Sequence, residues 1–99
     1  MRTCIDRLIA LPRIDSPSVR NESEFILGRL EQCRQEGSIS NDAFLDAGVI
    51  QGGLDMIANH IDMGVPQSEV QELLRGQLSR AERLNQKHPN LDKAVEAGR

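Results

Sequence analysis

The chain has 99 residues, a net charge of −3 and only two aromatic residues, Phe25 and Phe44. One domain of this size buries roughly 60–65% of its unfolded surface in an aliphatic core, and it lacks the stacked rings on which single-stranded nucleic acid is usually held. Two cysteines, Cys4 and Cys33, are too few for the disulfide framework of a small secreted domain and point to the cytoplasm, and no stretch reaches the ~18–20 apolar residues of a membrane span.

From the N-terminus, Ile5, Leu8 and Ile9 recur at helical spacing within residues 2–10, a short first helix that Pro12 should end. Asp6 and Arg7 break the apolar run, so a secretory leader is not expected. Residues 11–17 hold two prolines and a polar run and read as a loop, with Ser16 (followed by Pro17) or Ser18 as the cap of the next helix. That helix should run to about Gln35 with Val19, Ile26, Leu27, Leu30 and Cys33 inward, Phe25 widening the apolar face and Gly37 just past the end.

The stretch from Ser38 to Gly64 dominates the chain. Ser40 suits an N-cap, Asp42 then faces the positive end of the helix dipole, and Ile39 with Phe44 has the spacing of a hydrophobic staple. Gly64 can take a left-handed position and Pro66 is disfavoured in a continuing helix, so the predicted helix spans about 41–63. Ala47, Ile50, Leu54, Ile57, Ala58 and Ile61 fall on one side, the expected core stripe. Leu45, Val49, Gly52, Met56 and Met63 fall on the other. A helix apolar on two faces must bury both or use one for contact. Gly48, Gly52 and Gly53 each cost up to about 1 kcal/mol against alanine in a helix interior, which asks for the close approach of another backbone.

Pro66 in a first turn, or Ser68 and Gln71 as a capping box, can open the following helix. Its buried side reads Val70, Leu73, Leu74, Leu78, Ala81 and Leu84 as far as about Lys87. Lys87 and His88 complement its C-terminal dipole, and Pro89 breaks it. Residues 89–99 offer only Leu91, Ala94 and Val95 for burial, so the tail is expected to fray or form one loose turn. Short connections favour antiparallel neighbours. The fold class is therefore all-α, a single domain forming a small antiparallel bundle of three main helices plus a short N-terminal one.

Charge is uneven. Between Gln35 and Leu74 there are seven acidic residues and no lysine or arginine, whereas residues 75–99 carry six basic and three acidic side chains. Asp42, Asp46, Asp55 and Asp62 are thus candidates for an acidic surface, free to pair within the bundle, between subunits or with a basic partner.

Residues 47–59, AGVIQGGLDMIAN, are similar to the turn and recognition helix of helix-turn-helix DNA-binding proteins, with Gly48 in the turn and Leu54 and Ile57 in the core. The resemblance implies DNA binding through Gln51 and Asn59. The segment supplies no positive charge for phosphates, and Phe44 stands where the motif has a small residue. His60 and His88 lack metal-ligand spacing to each other or to the cysteines, Cys33 and His60 lack a third catalytic group, and no hydrolase motif or phosphate-binding glycine loop is present. Neither catalysis nor a metal or cofactor is expected. What the residues favour is a small non-enzymatic, protein-binding regulator, adaptor or inhibitor, cytoplasmic, docking through Leu45, Val49, Gly52, Met56 and Met63 onto itself as a homodimer or onto a foreign protein; a helix-turn-helix regulator is the alternative.

Overall fold

Helix-favouring periodicity without a single strand pattern gives, in a computed structural model describing residues 1–99, five helices: α1 (Arg2–Ile9), α2 (Ser16–Glu36), α3 (Asn41–Asp62), α4 (Gln67–Lys87) and α5 (Leu91–Glu96). The termini of α3 follow from local chemistry. The Ser40 hydroxyl accepts from the Ala43 amide at 3.1 Å, and Gly64 adopts φ +88°, where a side chain would be strained. Gly37 ends α2 in the same left-handed region, φ +75°.

The start of α2 differs from expectation. Asp15, and neither Ser16 nor Ser18, is the N-cap, because its carboxylate accepts both the Ser18 amide (2.8 Å) and the Ser18 hydroxyl (3.0 Å). Two acceptor oxygens here do what a serine hydroxyl does with one. At α4, Pro66 occupies the N-cap and no side chain caps the helix, so the Ser68–Gln71 box is not formed. Gln67 instead clamps the loop after α1, accepting from the Ile14 amide (2.8 Å) and donating to the Ile14 carbonyl (2.9 Å). That double bond satisfies backbone groups of a loop residue that is itself buried.

Polar contacts fix the directions of the long helices. Ser16 meets Asp62, Arg20 meets Asn59 and Ser23 meets Asp55, so α2 and α3 run antiparallel. Asp46 meets Lys87 while Gly53 lies against Gln77, so α3 and α4 do too. α3 sits between α2 and α4, and α1 packs on both of these neighbours. A single apolar cluster joins Ile5 and Leu8 of α1, Ile26 and Leu30 of α2, the α3 stripe, and Val70 and Leu74 of α4. Two expected core residues are displaced to the rim. Leu27 and Leu73 are exposed, and the adjacent inward positions are taken by the polar residues Ser23 and Gln77.

The tail is the largest correction. Residues 91–96 form a docked helix in place of the frayed end that was expected, with Leu91 and Val95 fully buried. Arg29 of α2 donates to the Ala94 carbonyl (2.8 Å) and the Val95 carbonyl (3.2 Å), satisfying acceptors that a helix end leaves free. Asp92 accepts from the Arg2 amide at 2.9 Å and from the Met1 ammonium, so α5 supplies the cap that α1 lacks in its own sequence.

Candidate functional site

Helical geometry places residues 45, 49, 52 and 56 of α3 and the C-cap residue 63 within about 60° of one another, on the side away from Ile50 and Leu54. Nothing in the chain covers them. Leu45 is 67% exposed, Val49 60%, Met56 60% and Met63 70%, while Ile50, Leu54 and Ala58 on the opposite side are fully buried. Four large apolar side chains therefore stand in water in one row on the central helix. Isolated exposed leucines are ordinary on protein surfaces; four large apolar side chains on one face, interrupted only by Gly52 and by Asn59, are not.

The three glycines separate into two kinds. A Cβ on Gly53 would fall 2.7 Å from the Gln77 Cδ, so this glycine admits the amide of α4. The close approach that the sequence suggested is thus made by a side chain and not by a backbone. Gly48 and Gly52 have open space where a Cβ would stand. Their cost in helix stability is offset by no contact within the chain.

Basic residues border the row on the α4 side. A groove of about 310 Å³ between α3 and α4 is lined by Val49, Leu84, Arg80, Arg83 and Lys87. Beside it the expected acidic surface is largely spent on internal bonds. Asp46 accepts from Lys87 and pairs with His88, each at 3.0 Å, and these hydrogen bonds hold its carboxyl below the usual carboxylate range. Asp62 is lowered likewise by the Ser16 hydroxyl (2.6 Å) and by Arg20 (2.7 Å). Asp55 accepts from Ser23 and Gln51. Asp42 is exposed at the first turn of α3. Much of the negative charge seen in the sequence thus fastens α3 to its neighbours, so the four aspartates do not make one open acidic patch. The chain matches no family model, no curated protein and no solved structure.

Apart from the seam of α1 and the tail, where Cys4, Glu96 and Arg99 meet, the remaining chemistry-bearing side chains do not converge. α3 is continuous from Asn41 to Asp62, so the turn that the helix-turn-helix resemblance needs at Gly48 does not exist, and Gln51 is turned toward Ser23 of α2. Cys33 lies against the Ala94 carbonyl and Arg29, whereas the His60 ring bonds the Met56 carbonyl; the two residues do not share a site. No group of three or more His, Cys, Asp or Glu side chains is arranged to hold a metal. Cys4 contacts Glu96 and Arg99, both at 3.0 Å, and burial first, with the bond to Glu96, pushes its thiol up to about 12. A thiol so raised stays protonated and is a poor nucleophile. No helix is long and apolar enough to cross a membrane.

The sequence left open whether the chain covers this face, and only the residues that share it were legible from periodicity. The basic border was not, because it depends on which face of α4 meets α3.

Proposed function

We propose that the chain acts by binding a polypeptide through the outer face of α3, as a small regulator, adaptor or inhibitor with no catalytic chemistry of its own. The observation that carries this reading is the row of Leu45, Val49, Met56 and Met63, each at least 60% exposed on one helix face. Exposing such a row costs solubility, and burying it against a partner recovers roughly 25 cal/mol per Å² of apolar surface. Methionines fit surfaces that adapt to a partner, and the open positions at Gly48 and Gly52 let a partner's side chains descend onto the helix backbone. Two free, buried cysteines suit a reducing compartment such as the cytoplasm.

The test is a photo-crosslinking amino acid placed at Met56 and, as a control, at the exposed Arg7 of α1. Irradiation of cells making the two variants should give a polypeptide adduct from position 56 and none from position 7. Equal or absent crosslinking at the two positions would reject a contact surface on α3.

A further inference from the structure

We infer that the occupant of this face is a second copy of the same chain, laid antiparallel with α3 on α3 about a two-fold axis at the level of Leu54. The inference rests on the reading of the α3 face as a polypeptide-binding surface.

Four of the five residues of the row have the symmetry that such a contact needs, and Val49 falls on Asn59 of the partner subunit. A two-fold interface uses one patch on both subunits, so residue i meets j and j meets i. Reversing α3 about the level of residue 54 brings Leu45 onto Met63 of the partner subunit, and Gly52 onto Met56 of the partner subunit. Both pairs occur twice. The second is a knob above an open position, since no atom of the chain lies where a Gly52 side chain would be.

Size decides what else must join. From Leu45 to Met63 the row is about 27 Å long at 1.5 Å per residue and about 10 Å wide, roughly 270 Å². A standard interface takes about 800 Å² from each partner. The flanks must contribute, and the charges of α4 are arranged for it. Arg80, Arg83 and Lys87 border the groove at the Val49 end. Glu69 and Glu72, both exposed, lie eleven residues before Arg80 and Arg83, three helical turns along the same faces and toward the Met63 end. Because Gly53 is apposed to Gln77 and α4 runs antiparallel to α3, the level of Leu54 on α3 corresponds to about residue 76 on α4. The same reversal then sets Glu69 opposite Arg83 of the partner subunit, and Glu72 opposite Arg80 of the partner subunit. A parallel arrangement would instead put each α4 over the other copy's α2 and lose these pairs. On α2 the reversal brings Glu24 nearest its own copy, a like-charge approach that leaves the contact to close on the α4 side.

The test is sedimentation equilibrium of the purified full chain over a concentration series, with Gly52→Arg, Glu69→Arg, Arg83→Glu and the double charge exchange, each checked for helicity by circular dichroism. The expected result is a reversible dimer. Gly52→Arg, at a position with free space in the monomer, should keep its helicity and lose the dimer. Each single charge reversal should weaken association about ten-fold, and the double exchange should restore it to within about three-fold of the original. A monomer at every concentration, or a dimer indifferent to Gly52→Arg, overturns the proposal. The crosslink at position 56 separates its failure from that of the underlying reading. An adduct of twice the chain mass supports the dimer. An adduct with a different polypeptide refutes the dimer while leaving a protein-binding face, and no adduct refutes both.

Discussion

Replacing Gly52 by alanine should stabilise the isolated chain, and the same change one residue later at Gly53 should not. In a helix interior alanine is favoured over glycine by about 0.8–1.0 kcal/mol. At Gly52 the added methyl group meets nothing within 4 Å, so the full gain applies. With about 2.1 cal/mol/K of unfolding entropy per residue, a chain of 99 residues has about 0.2 kcal/mol/K in all, which converts 0.8–1.0 kcal/mol into a rise of about 4–5 °C in Tm. At Gly53 the methyl group displaces the Gln77 amide, which lies inside contact distance and is largely buried. Shifting that side chain and opening the α3–α4 seam costs about 1–3 kcal/mol, for a net change between about 0 and −2 kcal/mol. Adding Gln77→Ala to Gly53→Ala should return part of the stabilisation. The assay is thermal unfolding by circular dichroism, run dilute so that association does not contribute, and repeated at high concentration. There the Gly52→Ala advantage should shrink, because the methyl group fills the position assigned to a methionine of the second copy. If Gly52→Ala lowers Tm in dilute solution, something within the chain packs on that face and the account of the open row is wrong.

Leu91→Ala should cost about 2–4 kcal/mol in urea unfolding, since the side chain is 1% exposed and the cavity cannot close without undocking α5; a loss under 0.5 kcal/mol would show that α5 adds little. The Asp46 carboxyl is held below the usual range by hydrogen bonds from His88 and Lys87. Its folded pKa is therefore the lower one, so its contribution is fully present above the unfolded value of ~3.9 and is lost as pH falls through the folded value. Melts between pH 2 and 6 should show that loss in the parent and a flatter profile in Asp46→Asn, and identical profiles would remove Asp46 from the account. Both thiols should resist a disulfide reagent in native buffer and react together in denaturant, because Cys4 and Cys33 are buried. Fast reaction of either in the native protein would place it at the surface.

What could be read in the sequence was whatever is decided within a few residues. Ser40 and Gly64 bracket α3 because capping and left-handed turns are local, and both faces of α3 follow from spacing. Asp15 was not legible because Pro17 fits the first turn behind either Ser16 or Asp15, and the deciding bonds, from the Ser18 amide and hydroxyl to Asp15, form only with the turn itself. Features set by distant partners were illegible. Arg29 anchors α5 from more than sixty residues away, Gln67 buries Ile14 across 53, and Lys87 meets Asp46 across 41. The same reason explains why the shared face of the row was foreseen while its exposure and the bonds of the aspartates were not. Periodicity tells which residues share a face of a helix but says nothing of what the next helix brings to it.

The clasp between α1 and α5 bears on the order in which the molecule assembles. Its bonds join residues 90 to 95 positions apart, as in Arg2 to Asp92 and Cys4 to Arg99, whereas Ser23 and Asp55, in the α2–α3 hairpin, are 32 apart. Loop-closure entropy grows as 1.5RT ln n, so bringing the ends of the chain together costs about 0.9 kcal/mol more than closing the hairpin, with few residues in α1 and α5 to offset it. The two short helices should therefore act as a latch, the last to close during folding and the first to open in the native state. In native-state hydrogen exchange the amides of α1 and α5 should open together, at a lower free energy than those of α2 and α3. Uniform protection across all five helices would rule that order out.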